Sequence, residues 1–115
     1  LEFCYKLGQA YLLNNQTTLA EKQYRFIISQ NPKHEKALSD LGRILLIQQK
    51  VRDAELLFRQ AIKLNPDYVQ ALMNLAGIYY LHKKWDDALT LVERVLEIEP
   101  LHEKALLLRG ELAGE

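Results

Sequence analysis

The stretch HEKALSDLGRILLIQQKVRDAELLFRQAIKLNP, His34 to Pro66, holds one whole unit of the chain's organisation. Its first five letters return at His102 to Leu106, 68 residues on, and halfway between them Tyr68 to Leu72 reads YVQAL, keeping only the Ala-Leu pair. A histidine followed by a glutamate invites a zinc-protease reading. That motif needs a second histidine one helical turn later, where this chain has Leu38 and Leu106. What persists is apolar and what varies is polar, which points to a 34-residue repeat with a buried Ala-Leu and a solvent-facing His-Glu-Lys. Stacked units set equivalent positions about 10 Å apart, so His34 and His102 lie far beyond a zinc–nitrogen bond of about 2 Å. Both are read as turn residues, and no metal site is expected.

The period extends beyond HEKAL. The prolines are Pro32, Pro66 and Pro100, each 34 residues from the last. Aligning on them superimposes Leu7-Gly8, Leu41-Gly42 and Leu75-Ala76, then Ala20, Ala54 and Ala88, then Tyr24, Phe58 and Val92. Such self-similarity is the signature of a repeat architecture. Within each unit two apolar stripes follow three- and four-residue steps: Leu38, Leu41, Gly42 and Leu45 mark the first, and Ala54, Phe58 and Ala61 the second. Each unit is therefore a helical pair. Small residues at 8, 42 and 76 and at 20, 54 and 88 recur where the two helices cross and a bulky side chain would hold them apart.

The breaks repeat as well. Asn15 suits the left-handed conformation that ends a helix, and Thr18 with Glu21 has capping-box spacing for the next one. Gln49 and Lys83, at the matching places, are poorer terminators, while Asp53, Asp86 and Asp87 complement a helix start. Each proline stops a second helix and turns the chain toward the next unit. The expected organisation is a single domain over 1–115, with repeats at 1–34, 35–68 and 69–102 and a capping or truncated fourth-repeat helix at 103–113.

Composition narrows the function classes. Fifteen basic and fifteen acidic residues cancel, so no electrostatic footprint marks a nucleic-acid backbone or an anionic membrane. The longest aliphatic run, Ile44 to Ile47, is far short of the roughly 20 residues of a membrane span. The lone cysteine, Cys4, sits at a core position and is read as an inert buried thiol. The only methionine is Met73, so the chain reads as a piece of something longer. There is no phosphate-binding glycine loop, nucleophile elbow or cysteine cluster, and the expectation is a non-enzyme without cofactors.

This pattern resembles the tetratricopeptide repeat, a 34-residue helix-turn-helix family, over almost the whole chain. The residues that carry it are Leu7-Gly8, Tyr11, Ala20, Tyr24 and Pro32, then Leu41-Gly42, Ala54, Phe58, Ala61 and Pro66, then Leu75-Ala76, Tyr79, Ala88 and Pro100. Departures are mild: Cys4, Leu38 and Leu72 replace the family's usual tryptophan, and Arg109 stands at a normally apolar place in the last helix. The resemblance implies an all-α solenoid, a right-handed superhelix whose concave face, built by first helices, holds a partner's peptide or helix.

Helix geometry, stepping off the core stripe, picks out the side chains for that face. They are Tyr5, Gln9 and Leu12, then Ser39, Asp40, Arg43 and Leu46, then Met73, Asn74 and Tyr80, then Leu107, with Glu2, Lys36, Gln70, Lys104 and Glu111 beside them. One subclass of the family grips the acidic C-terminal carboxylate of chaperones with lysines, asparagines and an arginine. The corresponding places here carry Tyr5, Gln9, Asp40, Gln70 and Asn74, a set without a cation and with an anion that would repel a carboxylate. The expected partner is a protein or peptide, with no nucleic acid and no membrane insertion. RNA-reading helical repeats are disfavoured because that family has a 35-residue period and a basic face. The alternative is a homo-oligomer formed through the repeat faces. Phe26 and Leu56 are its candidate patch if they lie outside, against local repacking if they do not. Trp85 is expected to pack in its inter-helix turn, with Lys83 and Lys84 solvated.

Overall fold

A glycine in the first helix of a unit lets an aromatic ring of the second lie directly on the backbone, and this contact sets the helix pairs. In the computed structural model, which describes residues 2–114, a Cβ added to Gly42 would stand 2.8 Å from Phe58 Cε1, and one added to Gly8 3.0 Å from Tyr24 Cζ. Both rings are fully buried. In the third unit both partners change together: Ala76 takes the glycine's place and Val92 the ring's, and both lie in one buried cluster.

Seven helices result, α1 Glu2–Leu13, α2 Thr17–Gln30, α3 Glu35–Ile47, α4 Val51–Leu64, α5 Val69–Leu81, α6 Trp85–Ile98 and α7 Glu103–Leu112, with no strand among the described residues. Each packs on its sequence neighbours, and α3 also touches α5, giving an α-solenoid of 43 × 25 × 22 Å. The core is the predicted one: Ala20, Tyr24 and Ile27, then Leu38, Leu41 and Leu45 with Ala54, Phe58 and Ala61, then Leu72, Leu75 and Ala76 with Ala88, Val92 and Val95 are all buried. Cys4, Leu7 and Tyr11 on α1 are exceptions, being only half-buried. That helix has a packed neighbour on one side only, among the described residues.

The turns within the pairs are more uniform than their sequences. Asn15, Gln49 and Lys83 all adopt left-handed backbone, with φ of 59°, 63° and 60°. The following amide closes back over five residues in each: Gln16 N–H to the Tyr11 carbonyl at 2.8 Å, Lys50 to Leu45 at 2.8 Å, Lys84 to Tyr79 at 2.9 Å. This is the Schellman closure, which satisfies carbonyls orphaned at a helix end. The weak terminators Gln49 and Lys83 are thus held in a conformation that suits glycine, because the paired helices fix the turn. Gln49→Gly and Lys83→Gly are each expected to raise stability by about 0.5 kcal/mol, the steric relief exceeding glycine's entropic cost. A lower urea midpoint in either variant would contradict this.

The expected capping box does not form. α2 begins two residues earlier, at Thr17, with Gln16 in the cap position and no side-chain cap. Glu21 instead accepts from Gln48 Nε2 at 2.9 Å and Arg25 Nε at 2.8 Å, tying α2 to the end of α3. These two contacts hold its carboxyl below the usual range. The proline turns bring out what HEKAL does: His34 Nδ1 accepts from Ala37 N–H at 3.1 Å, and His102 Nδ1 from Ala105 N–H at 3.2 Å. Both histidines are N-caps, each filling one donor at the start of a first helix.

Candidate first-helix groove

First helices present their free faces side by side, and two depressions form along them. One, of about 400 Å³, lies between α1 and α3 and is lined by Gln9, Leu12, Leu13, Tyr24, Asp40, Arg43, Ile47 and Gln70. The other, of about 540 Å³, lies between α3, α5 and the start of α7, lined by Arg43, Val69, Gln70, Met73, Asn74, Glu99, His102 and Lys104. Arg43 and Gln70 line both, so the two are successive parts of one groove. A larger depression of about 770 Å³ sits at the turns around Gln49–Asp53 and His82. Neither of the two buried polar residues, Ser39 and Asp40, lines it.

Asp40 is the groove's chemical centre. It is 3% exposed, with Arg43 Nη1 3.5 Å and Gln70 Nε2 3.4 Å from Oδ1. Burial raises its carboxyl above the ordinary range, against the opposing pull of Tyr5, Arg43, Tyr24 and Gln70. The Tyr5 and Tyr24 phenols are pushed up by burial first and then by the Asp40 charge, and Tyr68 is pushed up to about 12 for the same two reasons. The Tyr24 hydroxyl feels the carboxylate yet has no partner in hydrogen-bond geometry. Tyr5 stands edge-on to Tyr24, centroids 6.0 Å apart, and 5.4 Å from the His34 ring. A buried carboxylate ringed by phenols is thus built from α1, α2 and α3 together.

The eleven side chains expected on this face divide. Gln9, Leu12, Asp40 and Arg43 meet in the first depression, and Arg43, Met73 and Asn74 in the second. The Asn74 Nδ2 atom is buried without an acceptor. Tyr5 packs behind the first depression in the aromatic cluster, and Leu46 is half-buried against the core. Ser39 is fully buried and so lies beneath the surface a ligand would touch. Leu107 is exposed but lines neither depression. Tyr80 stands apart: its hydroxyl donates to Glu111 Oε2 at 2.8 Å and its ring meets Trp85 edge-on at 5.3 Å, joining α5 to α7. Trp85 meets Tyr80 at its turn but stays 46% exposed, and the Lys84 ammonium sits 5.7 Å from the Tyr79 ring centroid, not over Trp85.

Sequence reasoning missed Leu13 and Ile47, 88% and 64% exposed at the rim of the first depression. With Leu81 they form an exposed aliphatic series at one position of all three units, and that 34-residue recurrence was the available signal. His102 and Glu99 were also missed, as turn residues that reach the groove. Phe26 and Leu56 are 50% and 57% exposed on α2 and α4, so the structure does not repack them inward. Among the described residues no His, Cys, Asp or Glu cluster of three or more is placed to hold a metal, and no helix is long and apolar enough to cross a membrane.

Comparison with known proteins agrees with this architecture. Two family models, both described as tetratricopeptide repeat, match residues 45–112 and 5–54. Among solved structures, the first TPR of Spaghetti (RPAP3) bound to the HSP90 peptide SRMEEVD superimposes with a TM-score of 0.89 at 20% identity, covering 97% of this chain and 89% of that one. The Arabidopsis OM64 TPR domain gives 0.90 at 18% identity, covering 98% and 93%. MamA gives 0.87 at 22% identity, covering 96% of this chain and 65% of that chain. No curated protein sequence matches significantly.

Proposed function

The chain belongs to the tetratricopeptide repeat family, and we propose that it is a non-catalytic protein-interaction scaffold holding an extended segment or helix of a partner protein in the first-helix groove. Its units divide at 1–34, 35–68 and 69–102, with 103–113 as a capping or truncated fourth-repeat helix. The observation that carries the reading is the Asn74 side chain, whose buried Nδ2 donor has no acceptor and which lines the second depression. A buried donor left unpaired costs about 1–3 kcal/mol, which a ligand carbonyl would recover once the half-buried carboxamide turns outward. Gln70, at the junction of the two depressions, offers a second carboxamide of the kind that pairs with both groups of a peptide bond. Rigid helices hold these groups in place beforehand, which lowers the entropic cost of association. The test removes both amides: Gln70→Ala with Asn74→Leu is expected to weaken partner capture by about 100-fold with the fold intact, and undiminished capture would move the site elsewhere.

The ligand differs in charge from that of the RPAP3 domain, which is bound to the peptide SRMEEVD. Asp40 faces the groove here, and a carboxylate brought against it is repelled at short range in a poorly solvated site. Calorimetric titration with SRMEEVD is expected to show no saturable binding at micromolar concentrations, and a micromolar complex would refute the assignment. The second reading is self-association, favoured by the exposure of Phe26 and Leu56 on α2 and α4. Under it, the mass seen by light scattering rises with concentration.

A further inference from the structure

The depression between α1 and α3 carries the materials of a charge-specific pocket. Its floor is Asp40, an almost wholly buried carboxylate, beside the buried and unpartnered Tyr24 hydroxyl. Its wall and rim are aliphatic, Leu12 with Leu13 and Ile47. Beyond the nearby Tyr5 and Tyr24 hydroxyls, the amide and guanidinium contacts on Asp40 are poor. Gln70 Nε2 at 3.4 Å and Arg43 Nη1 at 3.5 Å are single, long contacts, where a charge-assisted pair closes to about 2.7–2.9 Å. No cation therefore closes on Asp40 at that ion-pair distance. Its carboxyl also stays above the ordinary range despite these neighbours, so their pull does not offset its burial. Arg43 is about half exposed and able to swing outward.

We propose that this depression is a subsite for a basic side chain of the bound segment, its aliphatic stem lying along Leu13 and Ile47 and its cationic head pairing with Asp40. The proposal rests on the groove reading above and specifies what that groove selects. A cation supplies what a neutral donor cannot, since a buried charge is compensated only by an opposite charge with good hydrogen-bond geometry. The Tyr24 oxygen offers a further acceptor to the same head. An apolar stem also covers rim surface that is otherwise in contact with water.

The test compares two capped peptides, acetyl-Ser-Leu-Arg-Leu-Ser-amide and the same peptide with citrulline, which keeps the shape of arginine and removes its charge. Each is titrated against the full chain by heteronuclear NMR. The expected result is saturable binding of the arginine peptide at least tenfold tighter than that of the citrulline peptide, with shifts centred on Gln9, Leu13, Ile47 and the Gln70 side-chain amide. Asp40→Asn is expected to reduce the arginine peptide to the citrulline level. Equal affinity of the two peptides, absence of saturable binding, or full affinity in a folded Asp40→Asn variant overturns the subsite. These outcomes are separable from failure of the groove itself, which is read by partner capture with Gln70→Ala and Asn74→Leu. The comparison of peptides on the unaltered chain decides the matter even if Asp40→Asn does not fold.

Discussion

Gly42→Leu is expected to lower the free energy of unfolding by about 2 to 3 kcal/mol, and the melting temperature by about 10 °C at this chain length. The cause is a collision. Even the first added carbon would stand 2.8 Å from Phe58 Cε1 and 2.9 Å from Cζ, closer than packed carbons approach. Phe58 is fully buried between α3 and α4 and has no vacant space into which to turn. Either the ring leaves its rotamer or the helices separate, and both spread strain through the central pair. Against this stands the better helix propensity of leucine, worth about 0.8 kcal/mol over glycine, which is why the net loss is smaller than the gross one. Gly110 supplies a control in the same register of the repeat, since a Cβ there meets nothing within 4 Å. Gly110→Ala is therefore expected to stabilise, by about 0.8 kcal/mol. Thermal unfolding of the two variants checks the pair of signs, and a Gly42→Leu protein that melts with the parent would remove the packing argument.

That contrast also explains how much of the molecule was legible in the sequence. Repeated burial was legible because each unit must press the same apolar face on its neighbours, so Leu41, Ala54, Phe58 and their counterparts recur at a fixed interval. Local endings were less so. Gln49 and Lys83 are weak left-handed residues by propensity, yet they turn as Asn15 does because the helices on either side leave the chain no other path. Thr18 and Glu21 have the spacing of a capping box, but Glu21 has stronger partners in Gln48 and Arg25. Histidine at 34 and 102 acts as an N-cap through Nδ1, a role its composition statistics hide. For the groove, helical stepping reached Gln9, Asp40, Arg43, Met73 and Asn74, because a helix face follows from position alone. It also gathered Ser39 and Tyr80, whose surroundings depend on how neighbouring helices are tilted: one ends fully buried and the other pairs with Glu111. Stepping off the core stripe passes over Leu13 and Ile47, which lie at the rim where the helices end.

The groove variant should separate binding from stability in a way that general damage cannot. Gln70→Ala with Asn74→Leu is expected to weaken partner capture by about 100-fold, equivalent to about 2.7 kcal/mol, through loss of the two side-chain amides proposed to pair with the partner's backbone. Stability is expected to change little or to rise. Asn74 keeps a buried Nδ2 without an acceptor in the free chain, and leucine, of similar shape, removes that unpaired donor and adds apolar surface beside the Met73 cluster. Gln70 contributes only a 3.4 Å contact to Asp40 and a long acceptance from the Tyr68 hydroxyl at 3.2 Å, so its truncation costs little in the absence of ligand. Lost capture with an unchanged or higher melting temperature thus identifies groups kept for a ligand at the expense of the free fold. Lost capture with a lower melting temperature would instead mark Gln70 and Asn74 as structural, and the unpaired donor would no longer speak for a bound peptide.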